Sequence, residues 1–156
     1  MKPAFVTGGT GLLGSHLIYA LISQGVKVRA IYRETSNRDI IKKLIGYYGG
    51  RENELLSRLE WVESDIGNLA SLTEAMKGSE NVYHCAAVVS FGNKDKDLVI
   101  DNNVQGTANV VKACLENKVR KLCHVSSNAA LGANDGEVMV NEDHGWDEKG
   151  HRSPYG

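Results

Sequence analysis

The chain has 156 residues, 42% apolar and 24% charged, with 17 glycines and two prolines. That is one globular domain, long enough to bury about 70% of its unfolded surface and to form a core without disulfide or metal staples. Eighteen basic and nineteen acidic side chains leave a formal charge of −1, and without an arginine-rich arm nucleic acid is not an expected partner.

No Asp, Glu, Lys or Arg occurs from Pro3 to Val26, but Thr7-Gly8-Gly9-Thr10-Gly11 interrupts the run. Its apolar part, Leu12 to Ile22, falls short of the ~20 residues of a membrane span. The segment predicts a buried strand over 3–7, a glycine turn, and a helix whose core stripe is Leu13, Leu17, Ala20 and Leu21, stopped at Gly25. Val26, Val28, Ala30 and Ile31 supply a second strand, which completes a βαβ unit of about 30 residues. Residues 34–58 predict a helix around Asp39–Ile45, a turn at Tyr47-Tyr48-Gly49-Gly50, and a polar stretch that the pattern does not assign.

Leu59 to Val62 reads as a third strand, and Asn68 as the N-cap of a helix carrying Leu69, Leu72, Ala75 and Met76 up to Gly78. A fourth strand covers 81–87. A helix with Ile100, Val104, Ala108, Val111 and Leu115 on one stripe reaches Asn117, and a fifth strand covers 119–126. Residues 132–150 read as an irregular loop. Alternating strands and helices with right-handed crossovers predict an α/β doubly wound parallel sheet of order 3-2-1-4-5.

The three cysteines, Cys85, Cys114 and Cys123, form no CxxC pair and read as small buried apolar side chains in a reducing compartment. Five histidines show no HExxH and no Cys/His cluster, so no metal is expected.

The stretch Thr7 to Gly14 satisfies both GxGxxG, through Gly9, Gly11 and Gly14, and GxxGxxG, through Gly8, Gly11 and Gly14. Between a strand and a helix, such glycines allow a tight turn, close approach of a diphosphate to the backbone, and close helix–strand contact, while the helix N-terminus offers free N–H groups to the anion. Gly8, Thr10, Gly11, Leu12, Leu13 and Gly14 are therefore the candidate diphosphate site of a dinucleotide. At the end of the second strand an acid would take ribose hydroxyls and an arginine a 2′-phosphate. Arg33 stands there, with Arg38, Lys42 and Lys43 nearby, so NADP is the favoured cofactor; Glu34 keeps NAD as the alternative.

Taken with Asp65-Ile66, His84-Cys85-Ala86-Ala87, Asn103-Val104-Gln105-Gly106-Thr107, Ser126 to Gly132 and Ser153-Pro154-Tyr155-Gly156, the glycine turn resembles an extended short-chain dehydrogenase/reductase. Within that superfamily the chain is similar to the NAD-dependent epimerase/dehydratase group, most of all its dihydroflavonol-reductase-like members. The resemblance implies a Rossmann fold and hydride transfer between a nicotinamide cofactor and a small carbonyl or alcohol substrate. By position, Asp65 would hydrogen-bond the adenine, Ile66 would pack on it, Ala86 and Ala87 would line the path to the nicotinamide ribose, and Asn103 would stand beside the active site. The residue types alone also allow Asp65 to cap a turn and the two alanines merely to permit close packing.

Ser127 and Tyr155 are the catalytic candidates that the resemblance implies. A phenol with a pKa near ~10 exchanges protons poorly at neutral pH, and lowering it by ~3 units takes ~4 kcal/mol from a nearby cation. In the resembled family a lysine four residues on supplies it, here position 159, past Gly156; Lys149 is no evident substitute. The expectation is that residues 1–156 are an incomplete dinucleotide-binding domain of a longer enzyme, inactive without its substrate-binding lobe. A nucleotide-sugar epimerase or dehydratase retaining NAD, and a cofactor-binding module without turnover, are the competing readings. The resembled family often pairs through helices such as the one around 98–117, which leaves a homodimer open, although no clear self-complementary stripe stands out there. No membrane is expected as a partner, and without sequon, cleavage site or lipidation signal the cytoplasm is the expected location.

Overall fold

The four residues of β1 (Ala4–Thr7) are all buried, which is why the first run carries no charge: it lies mid-sheet with a packed layer on each face. A computed structural model describes residues 2–88 and 96–127, except for the side chains of 96–98 and 101. Around β1 stand β2 (Val28–Tyr32), β3 (Leu59–Glu63), β4 (Asn81–His84) and β5 (Lys121–His124), in the order β3-β2-β1-β4-β5 with every pair parallel. The fold is thus the doubly wound α/β sheet that the alternation predicts. The crossovers carry α1 (Leu12–Ser23), α2 (Ile40–Tyr48), α3 (Glu52–Leu56), α4 (Leu69–Met76) and α5 (Lys96–Glu116).

Successive β1 side chains separate the two cores. Phe5 packs with Leu72, Met76, Val82 and Val110 under α4 and α5. Val6 packs with Ile18, Ile22, Ile41 and Ile45 under α1 and α2. The register sets Thr7 of β1 opposite His84 of β4, and Tyr32 of β2 opposite Glu63 of β3. The chain therefore leaves these strands along one edge of the sheet. Strand order reverses between β1 and β4, the place where open α/β sheets form a crevice.

Several local expectations hold. Asn68 caps α4, its Oδ1 accepting from Ser71 N–H at 3.1 Å, and Gly25 and Gly78 follow α1 and α4 with positive φ. Others need correction. The buried face of α1 is Gly14, Ser15, Ile18 and Ile22, not the Leu13 stripe. In α5 Val99, Val110, Ala113 and Cys114 are buried, whereas Ile100, Val104, Val111 and Leu115 are exposed. α1 is apolar around much of its circumference, and α5 buries Asn109 while it exposes large apolar side chains, so periodicity alone could not choose the face. Of the expected turn at Tyr47-Tyr48-Gly49-Gly50, Gly49 and Gly50 leave the helix at positive φ while Tyr47 and Tyr48 are the last turn of α2, and the unassigned polar stretch holds α3, which buries Leu55 and pairs Arg58 with Glu54 at 2.9 Å. β4 ends at His84 because residues 85–88 leave the ladder to line a cleft. No helix of the described residues is long and apolar enough to cross a membrane, and the loop expected over 132–150 lies outside those residues.

Candidate functional site

At the edge where β1, β2, β3 and β4 end, their following segments enclose a cleft of about 390 Å³. It brings together eight of the candidate residues, far apart in sequence: Gly8, Thr10 and Gly11 after β1, Arg33 after β2, Asp65 and Ile66 after β3, and Ala86 and Ala87 after β4. Leu12, Leu13 and Gly14 form the first turn of α1 and do not line it; the Leu12 and Leu13 side chains are exposed.

Those three residues can act through the backbone. Gly11 is an extended N-cap without side-chain capping, and the first helical bond runs from Ser15 N–H to the Gly11 carbonyl at 3.0 Å. The N–H groups of Leu12, Leu13 and Gly14 consequently have no partner among the described residues, and the first turn carries no acidic side chain. An anion set against this turn would meet free donors and the positive end of the helix dipole. The turn closes by a bond from Gly11 N–H to the Gly8 carbonyl at 3.0 Å. Gly8 has φ +68°, and a Cβ there would lie 2.6 Å from the Ala86 nitrogen; a Cβ on Gly14 would fall on the Gly8 carbonyl. The glycine spacing thus serves turn geometry and close packing together.

On the β2 and β3 side, Arg33 N–H donates to Ser36 Oγ at 3.0 Å and Ser36 N–H to the Arg33 carbonyl at 2.7 Å, a turn that puts both residues on the lining. The Arg38 guanidinium lies 4.2 Å from the centroid of the Tyr32 ring. Glu34 does not line the cleft. Asp65 does cap a turn, as the residue type allowed: Oδ1 accepts from Gly67 N–H at 2.7 Å. Its Oδ2 has no partner among the described residues. The Ile66 carbonyl is held by Asn109 Nδ2 at 2.8 Å, and Gly106 lets the Ile66 side chain lie against α5.

The β4 side is tied to α5. Asn103 does not line the cleft; its Oδ1 accepts from Val88 N–H at 2.8 Å and its Nδ2 donates to the Val88 carbonyl at 2.9 Å, while the neighbouring Asn102 reaches the lining. Ser127, half-buried three residues past β5, is not on the lining, and Tyr155 lies outside the described residues. Among the lining residues that no motif announced are Tyr32, Ser36, Ser64 and Asn102. Of the cysteines only Cys114 is buried as expected; Cys85 is half-buried on the lining and Cys123 is exposed on β5. Burial pushes the Cys114 thiol up to about 11, and burial with the neighbouring Cys123 raises Cys85, so neither is activated as a nucleophile. The described residues hold no group of three or more His, Cys, Asp or Glu placed to bind a metal.

The sequence profile of the NAD dependent epimerase/dehydratase family matches residues 4–156. Anthocyanidin reductase of Arabidopsis thaliana is 33% identical over 150 residues, 93% of this chain and 42% of that protein. The bifunctional dihydroflavonol 4-reductase/flavanone 4-reductase of Malus domestica is 30% identical over 145 residues, 92% of this chain and 40% of that protein. Among solved structures, the Bordetella bronchiseptica enzyme WbmH in complex with NAD+ superposes with a TM-score of 0.75 at 26% identity, over 99% of this chain and 48% of that one. The chain spans 33–42% of the length of such curated relatives. Sheet order, glycine turn and family profile coincide along one stretch of sequence, and the chain belongs to the NAD-dependent epimerase/dehydratase family.

Proposed function

We propose that residues 1–156 are the dinucleotide-binding part of an oxidoreductase that uses NADP to interconvert a carbonyl and an alcohol on a small substrate. The observation that carries this reading is the open first turn of α1, with three N–H groups that have no partner among the described residues, behind a glycine turn on the cleft. Gly8, Thr10, Gly11, Leu12, Leu13 and Gly14 hold the diphosphate, Asp65 and Ile66 the adenine, and Ala86 and Ala87 border the nicotinamide ribose. Asn103 acts on the site by fixing Val88. Arg33 and Ser36 take the 2′-phosphate, a choice supported by Glu34 standing off the lining.

The cofactor, when bound, supplies or takes up the hydride. Ser127 hydrogen-bonds the substrate oxygen, and Tyr155 holds the proton that this oxygen gains or loses. A phenol can do so near neutral pH only beside a cation, so a positive group next to Tyr155 is a requirement of the reading. Three free thiols suit a reducing compartment, the cytoplasm. A second reading, an epimerase or dehydratase with NAD, draws on Glu34 beside Arg33 and on the NAD+ carried by WbmH. A homodimer has more support than the sequence pattern offered, because the exposed face of α5 does carry an apolar stripe.

Titration of NADPH and NADH into the purified protein tests the assignment. NADPH should bind more tightly, and Arg33→Ala should weaken NADPH about tenfold while leaving NADH within about twofold. Equal affinities in the unaltered protein would move the reading to NAD, and binding of neither would remove it.

A further inference from the structure

The wall of the cleft formed by Cys85 to Val88 has no regular secondary structure, yet a polar chain runs beneath it. Ala86 N–H donates to Thr7 Oγ1 at 3.2 Å, Thr7 Oγ1 lies 2.7 Å from His84 Nδ1, and His84 Nε2 lies 3.2 Å from Thr107 Oγ1 on α5. Thr7 and His84 are fully buried. The Thr7 hydroxyl accepts from Ala86, and its own hydrogen has Nδ1 as its one acceptor among the described residues. Thr7 therefore donates to Nδ1, and Nε2–H donates to Thr107, which makes the ring the neutral Nε2 tautomer. Burial, reinforced by the facing His124, pushes His84 down to about 4 and keeps it neutral at physiological pH.

Small movements of this wall matter, because the glycine turn touches it: a Cβ on Gly8 would meet the Ala86 nitrogen at 2.6 Å. Asn103 grips the wall from α5 at a second point, Val88. We propose that His84 is a positioning residue for the dinucleotide, linking α5 through Thr7 to Ala86 and so setting the gap between that wall and the glycine turn. The proposal rests on the cofactor-binding reading above. It concerns only the nicotinamide half, because the adenine end is held by a separate contact, from Asn109 to the Ile66 carbonyl.

The test compares NADPH with adenosine 2′,5′-bisphosphate, which lacks the nicotinamide half, by calorimetry on the full chain. Thr107→Val keeps side-chain volume but removes the partner of Nε2; it should raise the NADPH Kd about tenfold and leave the bisphosphate Kd within about twofold. Thr107→Ser, which restores a hydroxyl, should recover NADPH binding. His84→Phe should show the same selectivity with a larger loss. Equal weakening of both ligands would reduce the chain to a general structural tie, and unchanged NADPH binding in Thr107→Val would remove its role; either result overturns the proposal. Should the unaltered protein bind neither ligand, the cofactor reading fails instead, before any variant is compared.

Discussion

A single methyl group separates two uses of glycine around the cleft. At Gly8 the backbone has φ +68°, and a Cβ would press on Ala86 N at 2.6 Å and Cys85 C at 2.7 Å, backbone atoms that cannot rotate away. Gly8→Ala should therefore cost about 2–4 kcal/mol of stability, the left-handed conformation alone accounting for roughly 1–2. At Gly106 the obstacle is Ile66 Cδ1 at 2.5 Å, the end of a side chain that can turn, and alanine favours the helix by about 1 kcal/mol. Gly106→Ala should leave the urea midpoint nearly unchanged while pushing Ile66 into the cleft it lines. Calorimetry should then find adenosine 2′,5′-bisphosphate weakened about threefold or more. Comparable unfolding of both variants would mean that Ile66 is as fixed as the backbone.

α5 shows why one of its faces escaped a reading from periodicity. Its buried side mixes Val99, Val110 and Ala113 with Gly106 and Asn109, because that side meets the Ile66 turn as well as the core; its exposed side holds Ile100, Val104, Val111 and Leu115. Large apolar residues at helical spacing thus marked the wrong face. α1 failed likewise, since Gly14 and Ser15 are buried for want of space at the glycine turn. The glycine turn and the Asn68 cap were legible because each is written in neighbouring residues, and strand order because strands and helices alternate along the chain with right-handed crossovers. Arg33 could be read from its place after the second strand, whereas Asp65 and Ala86, which line the same cleft, were singled out only through the family resemblance. The tie from Thr7 to His84 spans 77 positions and leaves no local pattern. If the exposed stripe pairs two copies, Val104→Glu and Leu115→Glu should give a monomer on sedimentation with stability within about 0.5 kcal/mol, whereas Val110→Ala should cost about 2 kcal/mol. Identical sedimentation before and after both glutamate changes would show that the stripe is not an interface.

Acid should loosen the fold at its centre before it touches the surface. Exposed pairs such as Arg120 with Glu80 contribute little each, whereas His84 joins β4 to β1 and α5 and faces His124 of β5. Its folded pKa, about 4, lies below the unfolded value of 6.5, so between these pH values the unfolded chain binds the extra proton. Stability from this group is complete above pH ~6.5 and is lost as pH falls toward ~4, to a total of ~3 kcal/mol. Protonation also places a donor on Nδ1, opposite a Thr7 hydroxyl that already donates there, so the bond holding Ala86 must rearrange. Between pH 7.5 and pH 5 urea denaturation should register a loss of about 2 kcal/mol assignable to His84. His84→Phe, less stable at pH 7.5 for leaving Thr7 and Thr107 unpaired, should show a slope shallower by that amount across the same interval. An unchanged slope in the variant would place the acid sensitivity elsewhere and separate the buried histidine from the cohesion of β1, β4 and α5.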